Sequence, residues 1–513
     1  MKSVVLKYVV ILAGFILFTW VLWGFPEAFD TIRFQLIYFG SGGGEDTLSL
    51  SALGDVLSYL YYRDNLRLAQ VISVPFSLFV PHILVSALLS ALLVVSFYYA
   101  VALCFPAADL RPGRPSWKQL VWFWLVATLF LPWRANVFTI IYSENYFPSM
   151  AGLIWCLWRV ARGRFTRGQL WLFGLVVFLT SWTHEQAAAT LWCGAALYIL
   201  LQRFRVSAPY WIMTLIGLSV FTAMALIPGT TSRFNDMTPV IYHLWYYKYI
   251  LGMHIWVLLM LGLMAVMTCI RSARPYLLAV LRVPQYLILL VGAVACITMN
   301  CATYCPMRAA LIPDLCAMVL MTALLRPVWN VLRCKVSYAF TACTGVILVS
   351  LICLWSHIAL WQTRIGSEYE WAQKTILTPG PSPVYYDFKY IDAAPATALG
   401  IPQRNIIDIM FININHITGN ERFVIPTDLQ GRFMGRAVPV DGYFGAYRVN
   451  KTLFRVQEGW DCESRVKITF ADGEVRNYTL LGIPFDGEDG VRYLAYHTPK
   501  MDVRDIVRID LQQ

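Results

Sequence analysis

The chain has 513 residues, of which 58% are hydrophobic and only 14% are charged, and its formal net charge is +11. Because about a quarter of the residues in a soluble domain are charged, this composition excludes an ordinary soluble protein and predicts a polytopic membrane protein. The lysines and arginines concentrate between the hydrophobic runs, where they orient a membrane protein, so the positive charge does not predict nucleic-acid binding.

About eleven apolar runs predict membrane-spanning helices, each of which needs about 20 mostly apolar residues. These runs are centred near residues 15, 91, 126, 151, 176, 194, 219, 259, 292, 318 and 348. The sequence therefore predicts a mainly α fold, a polytopic transmembrane helical bundle over residues 1–362.

The basic residues are biased toward alternate loops, and this bias predicts the orientation. Lys2 and Lys7, before the first run, belong to the more basic set of loops. The positive-inside rule places that set, and with it the amino terminus, in the cytoplasm. With an odd number of spans, everything after about Gln362 is then predicted to lie outside.

Residues 363–513 are much more polar, with Pro and Gly punctuation and short alternating stretches. Arg465–Phe470 is typical of a strand, Ala471–Glu474 of a hairpin turn, and Val475–Leu481 of the partner strand. The sequence therefore predicts a second domain over 363–513, extracytoplasmic and mainly β.

The segment between the first two apolar runs carries an acidic pair, Glu45 and Asp46, at the end of a glycine-rich turn. Glycine lets the backbone approach a ligand closely, and adjacent acids at the mouth of a membrane bundle are costly unless they are functional or lie in water. A solvated loop followed by an interfacial helix is the structural alternative. That helix is predicted to place four leucines on one face: Leu50, Leu53, Leu57 and Leu60.

Four further polar clusters stand at the predicted outer ends of helices: Ser143–Tyr146, Thr183–Gln186, Pro228–Arg233 and Cys305–Arg308. Ionisable groups at helix ends that face a cavity are functional candidates. Together with the acidic pair, they predict one site on the outer face of the bundle. Its candidate residues are Glu45, Asp46, Glu144, His184, Glu185, Arg233 and Arg308.

Each candidate also has a structural interpretation. His184 and Glu185 lack the second histidine of a zinc-binding helix, and Glu185 in the first turn of a capped helix is favoured by the helix dipole. Arg233 and Arg308 fit interfacial arginines equally well. Asp314 lies on or near the helical face of Arg308, so a pairing of the two is expected.

The chemistry that fits these residue types is sugar transfer from a lipid phosphate. A carboxylate would act as general base on the acceptor hydroxyl, and arginines would neutralise the phosphate leaving group. The alternative is a flippase, transporter or polymerase for lipid-linked oligosaccharides. Transporters tend to have inverted repeats and broken helices, and the sequence shows neither clearly. A third possibility is a non-enzymatic membrane assembly protein.

The layout resembles the GT-C class of polytopic glycosyltransferases and, more closely, the DUF6056-like bacterial membrane proteins. Over about residues 1–360, the resemblance lies in Glu45–Asp46, Trp182–Glu185, and Pro228–Gly229 with Arg233. It implies a protein of the bacterial inner membrane with an acceptor or donor pocket at His184 and Glu185.

The resemblance further implies a catalytic base at Asp46 or Glu45 and phosphate ligands at Arg233 and Arg308. The implied partners are a polyprenyl-phosphate-linked sugar, a glycan or lipid acceptor, and membrane lipid, with no nucleic acid. It implies no cofactor, and it does not require a metal at the site.

Overall fold

The computed structural model describes residues 2–24, 34–35, 37–39, 41–43, 48–105, 112–133, 137–138, 140–231, 244–302, 307–377, 384–386, 424–426, 438–449, 452–456, 463–486, 491–496 and 505–511. The described residues fall into two compact units, one up to Gly366 and one from Ser367 onwards. The first unit is helical, and the second contains a small β-sheet region.

Helices make up most of the first unit among the described residues. In chain order they are α1 Lys2–Trp23, α2 Leu50–Arg63, α3 Leu68–Phe79, α4 His82–Cys104, α5 Trp117–Phe130, α6 Ile140–Ala161, α7 Arg167–Thr183, α8 Glu185–Leu201, α9 Ala208–Ala225, α10 Leu244–Met253, α11 Ile255–Cys269, α12 Arg274–Leu281, α13 Pro284–Ala302, α14 Leu311–Leu324, α15 Arg326–Lys335 and α16 Ser337–Leu377. A 3₁₀ turn, Met307–Ala310, directly precedes α14.

Six helical segments of the described chain are long and apolar enough to cross a membrane. They are α1, α4, α9, α13, Met307–Leu324 and Ser337–Leu360. Helices α10 and α11 count as a seventh if the pair, which is bent by 68°, forms one span. The structure therefore supports an integral membrane protein.

The prediction of about eleven spans is supported for six or seven of them. Each predicted centre lies in a helix, but α5, α7 and α8 have only 14, 17 and 17 residues. Helix α6 has 22 residues, but its first turns carry the polar run Ser143–Asn145. The apolar runs thus located the helices correctly, although helix location alone does not establish a span.

Small residues allow the helices around the candidate site to pack closely. A Cβ at Gly194 of α8 would lie 2.7 Å from the Cα of Ile288 on α13, and a Cβ at Gly292 of α13 would overlap the Thr190 side chain of α8. Small residues at helix interfaces let two backbones approach each other in this way. These contacts fix α8, whose first residue is Glu185, against α13.

Helix α2 buries one side against its neighbours. Ala52, Val56 and Leu60 are buried in a cluster with Val74 of α3 and Ile141 of α6. The predicted stripe of leucines is only partly covered, since Leu60 is buried whereas Leu50 is 77% exposed.

The β region contains a seven-stranded sheet with strand order β3-β4-β5-β8-β7-β6-β9, in addition to a two-stranded parallel pair, β1–β2. The strands, in chain order, are β1 Val384–Tyr386, β2 Val424–Pro426, β3 Val438–Pro439, β4 Ala446–Val449, β5 Thr452–Val456, β6 Glu463–Phe470, β7 Val475–Asp486, β8 Arg492–Tyr496 and β9 Ile506–Leu511. The predicted hairpin is confirmed, because β6 and β7 pair antiparallel across the turn with Thr469 opposite Val475.

The two ends of this sheet meet. Beyond β3, the N–H of Phe444 donates to the carbonyl of Ile509 in β9 (3.2 Å), and the N–H of Ile509 donates to the carbonyl of Asp441 (2.8 Å). Gly442, between them, has φ +110°, and a Cβ there would overlap the Ile509 carbonyl. Glycine is therefore required at the point where the sheet closes.

We expect Gly292→Ala to destabilise the helical unit, because the new Cβ overlaps Thr190 and overpacking costs about 1–3 kcal/mol. Thermal unfolding of the purified protein in detergent measures this loss. Gly262→Ala on α11 is the matched control, since a Cβ there meets nothing within 4 Å. It should be neutral or slightly stabilising, because alanine favours helix. Equal effects of the two substitutions would contradict the packing argument.

Candidate functional site

The connection between α2 and α3, residues 64–67, is the point where distant parts of the helical unit meet. A Cβ at Gly229 would overlap the backbone carbonyl of Asp64, so the chain after α9 packs directly on this connection. The Thr230 hydroxyl donates to Asn65 Oδ1 (3.1 Å). The segment after α9 is therefore fitted to the connection by backbone contact as well as by a hydrogen bond.

The junction between α7 and α8 contacts the same connection. The Trp182 indole N–H donates to the Leu66 carbonyl (2.8 Å). Arg67 Nε donates to Glu185 Oε2 (2.9 Å), and Arg67 Nη2 donates to Glu185 Oε1. Both oxygens of the Glu185 carboxylate are thus held by one guanidinium, a geometry that lysine cannot reproduce.

His184 forms the N-cap of α8. Its Nδ1 accepts the backbone N–H of Gln186 (3.2 Å), so in the neutral ring the proton is on Nε2. The residue is 2% exposed, and Nε2 has no hydrogen-bond partner among the described residues. Burial lowers the pKa of His184 to about 4; the Glu185 carboxylate opposes this shift, and the charges of Arg67 and Arg308 add to it.

Two tyrosines one turn apart on α6 complete the cluster. The Tyr146 ring packs against the His184 ring with centroids 4.6 Å apart, and the Arg308 guanidinium lies 3.7 Å from the centroid of the Tyr142 ring. Residues four apart share a helical face. The same face of α6 therefore contacts both His184 and Arg308, which approach it from two other elements.

A chain of buried polar side chains continues from this cluster into the bundle. Gln186 Nε2 donates to Asn300 Oδ1 (3.0 Å), and Asn300 Nδ2 is 2.9 Å from His254 Nε2. The Tyr246 hydroxyl donates to the Asn300 carbonyl (2.6 Å). His254 stands between α10 and α11, where the helix pair bends by 68°. The chain of polar groups therefore ends at a helix break.

The structure brings three of the predicted site residues into one cluster: His184, Glu185 and Arg308. Glu45, Asp46 and Arg233 lie outside the described residues. Glu144 is buried on α6, two residues before Tyr146, and a two-residue step along a helix places it on the opposite face from that ring.

The expected pairing of Arg308 with Asp314 is wrong. Asp314 is buried within α14, and its Oδ1 atom has no hydrogen-bond partner in the described chain. Arg308 instead lies over the Tyr142 ring. Arg308 belongs to the 3₁₀ turn and Asp314 to the first turn of α14, so the two side chains do not share one face of a regular helix.

Sequence reasoning missed Arg67 and the two tyrosines as parts of the site. Arg67 follows the acidic pair in the same polar segment, but its partner is 118 residues away, so no local pattern joins them. The four-residue spacing of Tyr142 and Tyr146 was visible and indicates a shared face. Among the described residues, no group of three or more His, Cys, Asp or Glu side chains could hold a metal ion.

A double-mutant cycle on Arg67 and Glu185 tests the ion pair. We expect Arg67→Ala and Glu185→Ala each to destabilise the protein, and the double variant to lose less than the sum, with a coupling of about 1–3 kcal/mol. Thermal unfolding in detergent measures the loss of stability of each of the three variants relative to the wild type. Additive losses would mean that the two charges contribute independently.

The low pKa of His184 predicts a pH dependence of stability. The folded pKa, about 4, lies below the unfolded value of 6.5, so the unfolded state binds the extra proton first and stability falls as the pH drops below 6.5. This group should contribute a loss of about 2 kcal/mol between pH 7 and pH 5.

His184→Asn is the matched variant, because asparagine can cap α8 but cannot titrate in this range. Its stability should change less than that of the wild type between pH 7 and pH 5. Parallel pH profiles for the two proteins would show that His184 is not the titrating group.

Comparison of the whole sequence with known proteins identifies no relative. No protein-family model matches the chain, and no curated protein is significantly similar to it. No family is identified, and the cluster around Arg67, His184, Glu185 and Arg308 belongs to an integral membrane protein with six or seven candidate spans.

Proposed function

We propose that the protein is an integral membrane glycosyltransferase of the bacterial inner membrane. It moves a sugar from a polyprenyl-phosphate donor to a cell-envelope glycan or lipid acceptor on the non-cytoplasmic face. The observation that carries this proposal is the cation at Arg308, which has no carboxylate partner among the described residues and contacts the same face of α6 as the His184 imidazole, whose buried Nε2 also has no partner there.

Arg308 has the properties of a phosphate ligand. Its contact in the described chain is the face of Tyr142, which attracts the cation without neutralising its charge. It also stands in the turn that opens α14, where the helix dipole favours anions. A phosphate would supply the missing negative charge and accept two parallel N–H bonds.

His184 supplies a neutral donor on the same face of α6 as Arg308. Nδ1 is occupied by the Gln186 backbone N–H, so the free Nε2 carries the proton. The low pKa keeps the ring neutral at ordinary pH, and it donates one hydrogen bond without adding charge. An arginine and a neutral N–H together suit a phosphate monoester leaving group.

The carboxylates divide into two roles in this proposal. Glu185 is held at both oxygens by Arg67, so it positions the site and does not take a proton. The general base is then Asp46 or Glu45. The acceptor oxygen attacks the anomeric carbon, its proton passes to that carboxylate, and the bond to the phosphate breaks to release polyprenyl phosphate.

The proposal takes the orientation that the charge bias predicts, and it takes the role of Arg233 from the resemblance. The amino terminus is cytoplasmic, the cluster faces outward, and the β region lies outside the cytoplasm. Arg233 is a second phosphate ligand, and the β region binds the acceptor glycan or stabilises the outer face.

A transfer assay in proteoliposomes with a polyprenyl-phosphate sugar tests the proposal. Arg308→Ala should weaken use of the lipid donor about 10- to 100-fold, since a hydrogen bond to a charged group contributes about 1.5–3 kcal/mol. Arg63→Ala, an exposed arginine at the end of α2, is the control and should keep full activity. Asp46→Asn should abolish transfer at normal membrane expression, whereas Asp55→Asn on the exposed side of α2 should not.

Transfer by Asp46→Asn at near wild-type rate would remove Asp46 from the catalytic role. An equal loss with soluble sugar-nucleotide donors in Arg308→Ala would contradict phosphate recognition from a lipid. Mass spectrometry of surface glycans and lipid-linked sugars in a strain lacking the protein identifies the product.

One observation favours a transporter of lipid-linked oligosaccharides as the second candidate. The break at His254, with buried polar groups leading to it, resembles the discontinuous helices of transporters. The same proteoliposomes separate the two hypotheses. A transporter moves the labelled lipid across the bilayer without forming a new glycosidic bond, and a transferase forms that bond.

A further inference from the structure

A second feature of the helical unit is an apolar cavity of about 350 Å³ between α5, α11, α14 and α15. Aromatic rings and methionines form most of its wall. The lining includes Trp122, Phe130, Trp256, Met318, Thr322 and Trp329. None of these residues belongs to the candidate functional site.

The polar groups of this wall give water little to bind. The Thr322 hydroxyl donates to the Met318 carbonyl (2.7 Å), and the Trp122 N–H donates to the Thr344 hydroxyl (2.9 Å). Apolar cavities of about 150 Å³ in proteins stay dry and take up hydrocarbon-like ligands. This cavity is more than twice that volume, and within a membrane the hydrocarbon at hand is a lipid chain.

Helix α15 gives the cavity a polar rim. Val328, Trp329 and Leu332 line the cavity, while Arg326 and Lys335 stand at the first and last positions of the helix. Leu332 and Lys335 are three residues apart and therefore lie on one face of the helix. A basic residue at a membrane surface attracts anionic headgroups.

The cavity is separate from the cluster around Arg308. Met318, the lining residue of α14 nearest to Arg308 in sequence, is ten positions further along, which corresponds to about 15 Å of helix. A lipid chain in the cavity therefore leaves the phosphate site proposed at Arg308 unoccupied.

We infer that this cavity binds an acyl chain of an anionic phospholipid, whose phosphate lies at Lys335, the basic end of α15 three positions beyond the lining residue Leu332. The site binds a resident membrane lipid and is independent of the sugar-transfer proposal. The chemistry recognised is one hydrocarbon chain together with one negative charge.

Native mass spectrometry of the full chain, released from nanodiscs of phosphatidylglycerol or phosphatidylcholine, measures the bound lipid. We expect one retained phosphatidylglycerol, with about a tenfold preference over phosphatidylcholine. Val126→Trp fills the cavity from α5 and should remove most of the retained lipid. Leu129→Trp, on the same helix but 62% exposed and outside the lining, is the control and should retain it.

Lys335→Ala removes the positive charge at this end of α15 and leaves every lining residue in place, so it tests the headgroup contact. Its preference for phosphatidylglycerol should fall while phosphatidylcholine binding stays unchanged. Equal retention by Val126→Trp and Leu129→Trp would overturn the proposal. So would displacement of the retained lipid by polyprenyl phosphate, which would assign the cavity to the donor.

Discussion

The ion pair between Arg67 and Glu185 is the contact on which the candidate site depends. It joins the connection between two short helices to the first residue of α8, across 118 residues of sequence. Charges in a poorly solvated region are stable only when they are paired and hydrogen-bonded. Movement of either segment would therefore leave the other charge without its partner. Because His184 caps the same helix, the pair also fixes where its imidazole lies.

The cluster and the bundle interior form one connected polar system. His184 and Gln186 are two residues apart at the start of α8, and Gln186 continues the chain of hydrogen bonds through Asn300 to His254. Polar side chains inside a membrane bundle are costly unless they are paired. These hydrogen bonds pair at least one atom of each side chain, whereas His184 Nε2, Gln186 Oε1 and His254 Nδ1 have no partner among the described residues. The glycine contacts between α8 and α13 hold the helices close enough for the hydrogen bonds to form.

Local patterns predicted the elements well and the contacts between them poorly. Apolar runs located the helices, the Thr183–Gln186 cluster marked the boundary between α7 and α8, and Asp472–Gly473 marked the β6–β7 turn. The pairing of Arg67 with Glu185 could not be predicted, because charge alone does not select a partner from a distant helix. The expected Arg308–Asp314 pair is wrong for a related reason: two charges six residues apart in sequence need not face each other in the fold, and Arg308 lies over Tyr142 instead.

The closure of the β sheet bears on the tendency of this protein to aggregate. An unpaired strand edge is a template on which another chain can add, and this is a common route to aggregation. At Ile509, the outward N–H and carbonyl of β9 are already bonded to Asp441 and Phe444 of the same chain. Gly442 is what allows that approach, so one residue without a side chain protects this edge from pairing between molecules.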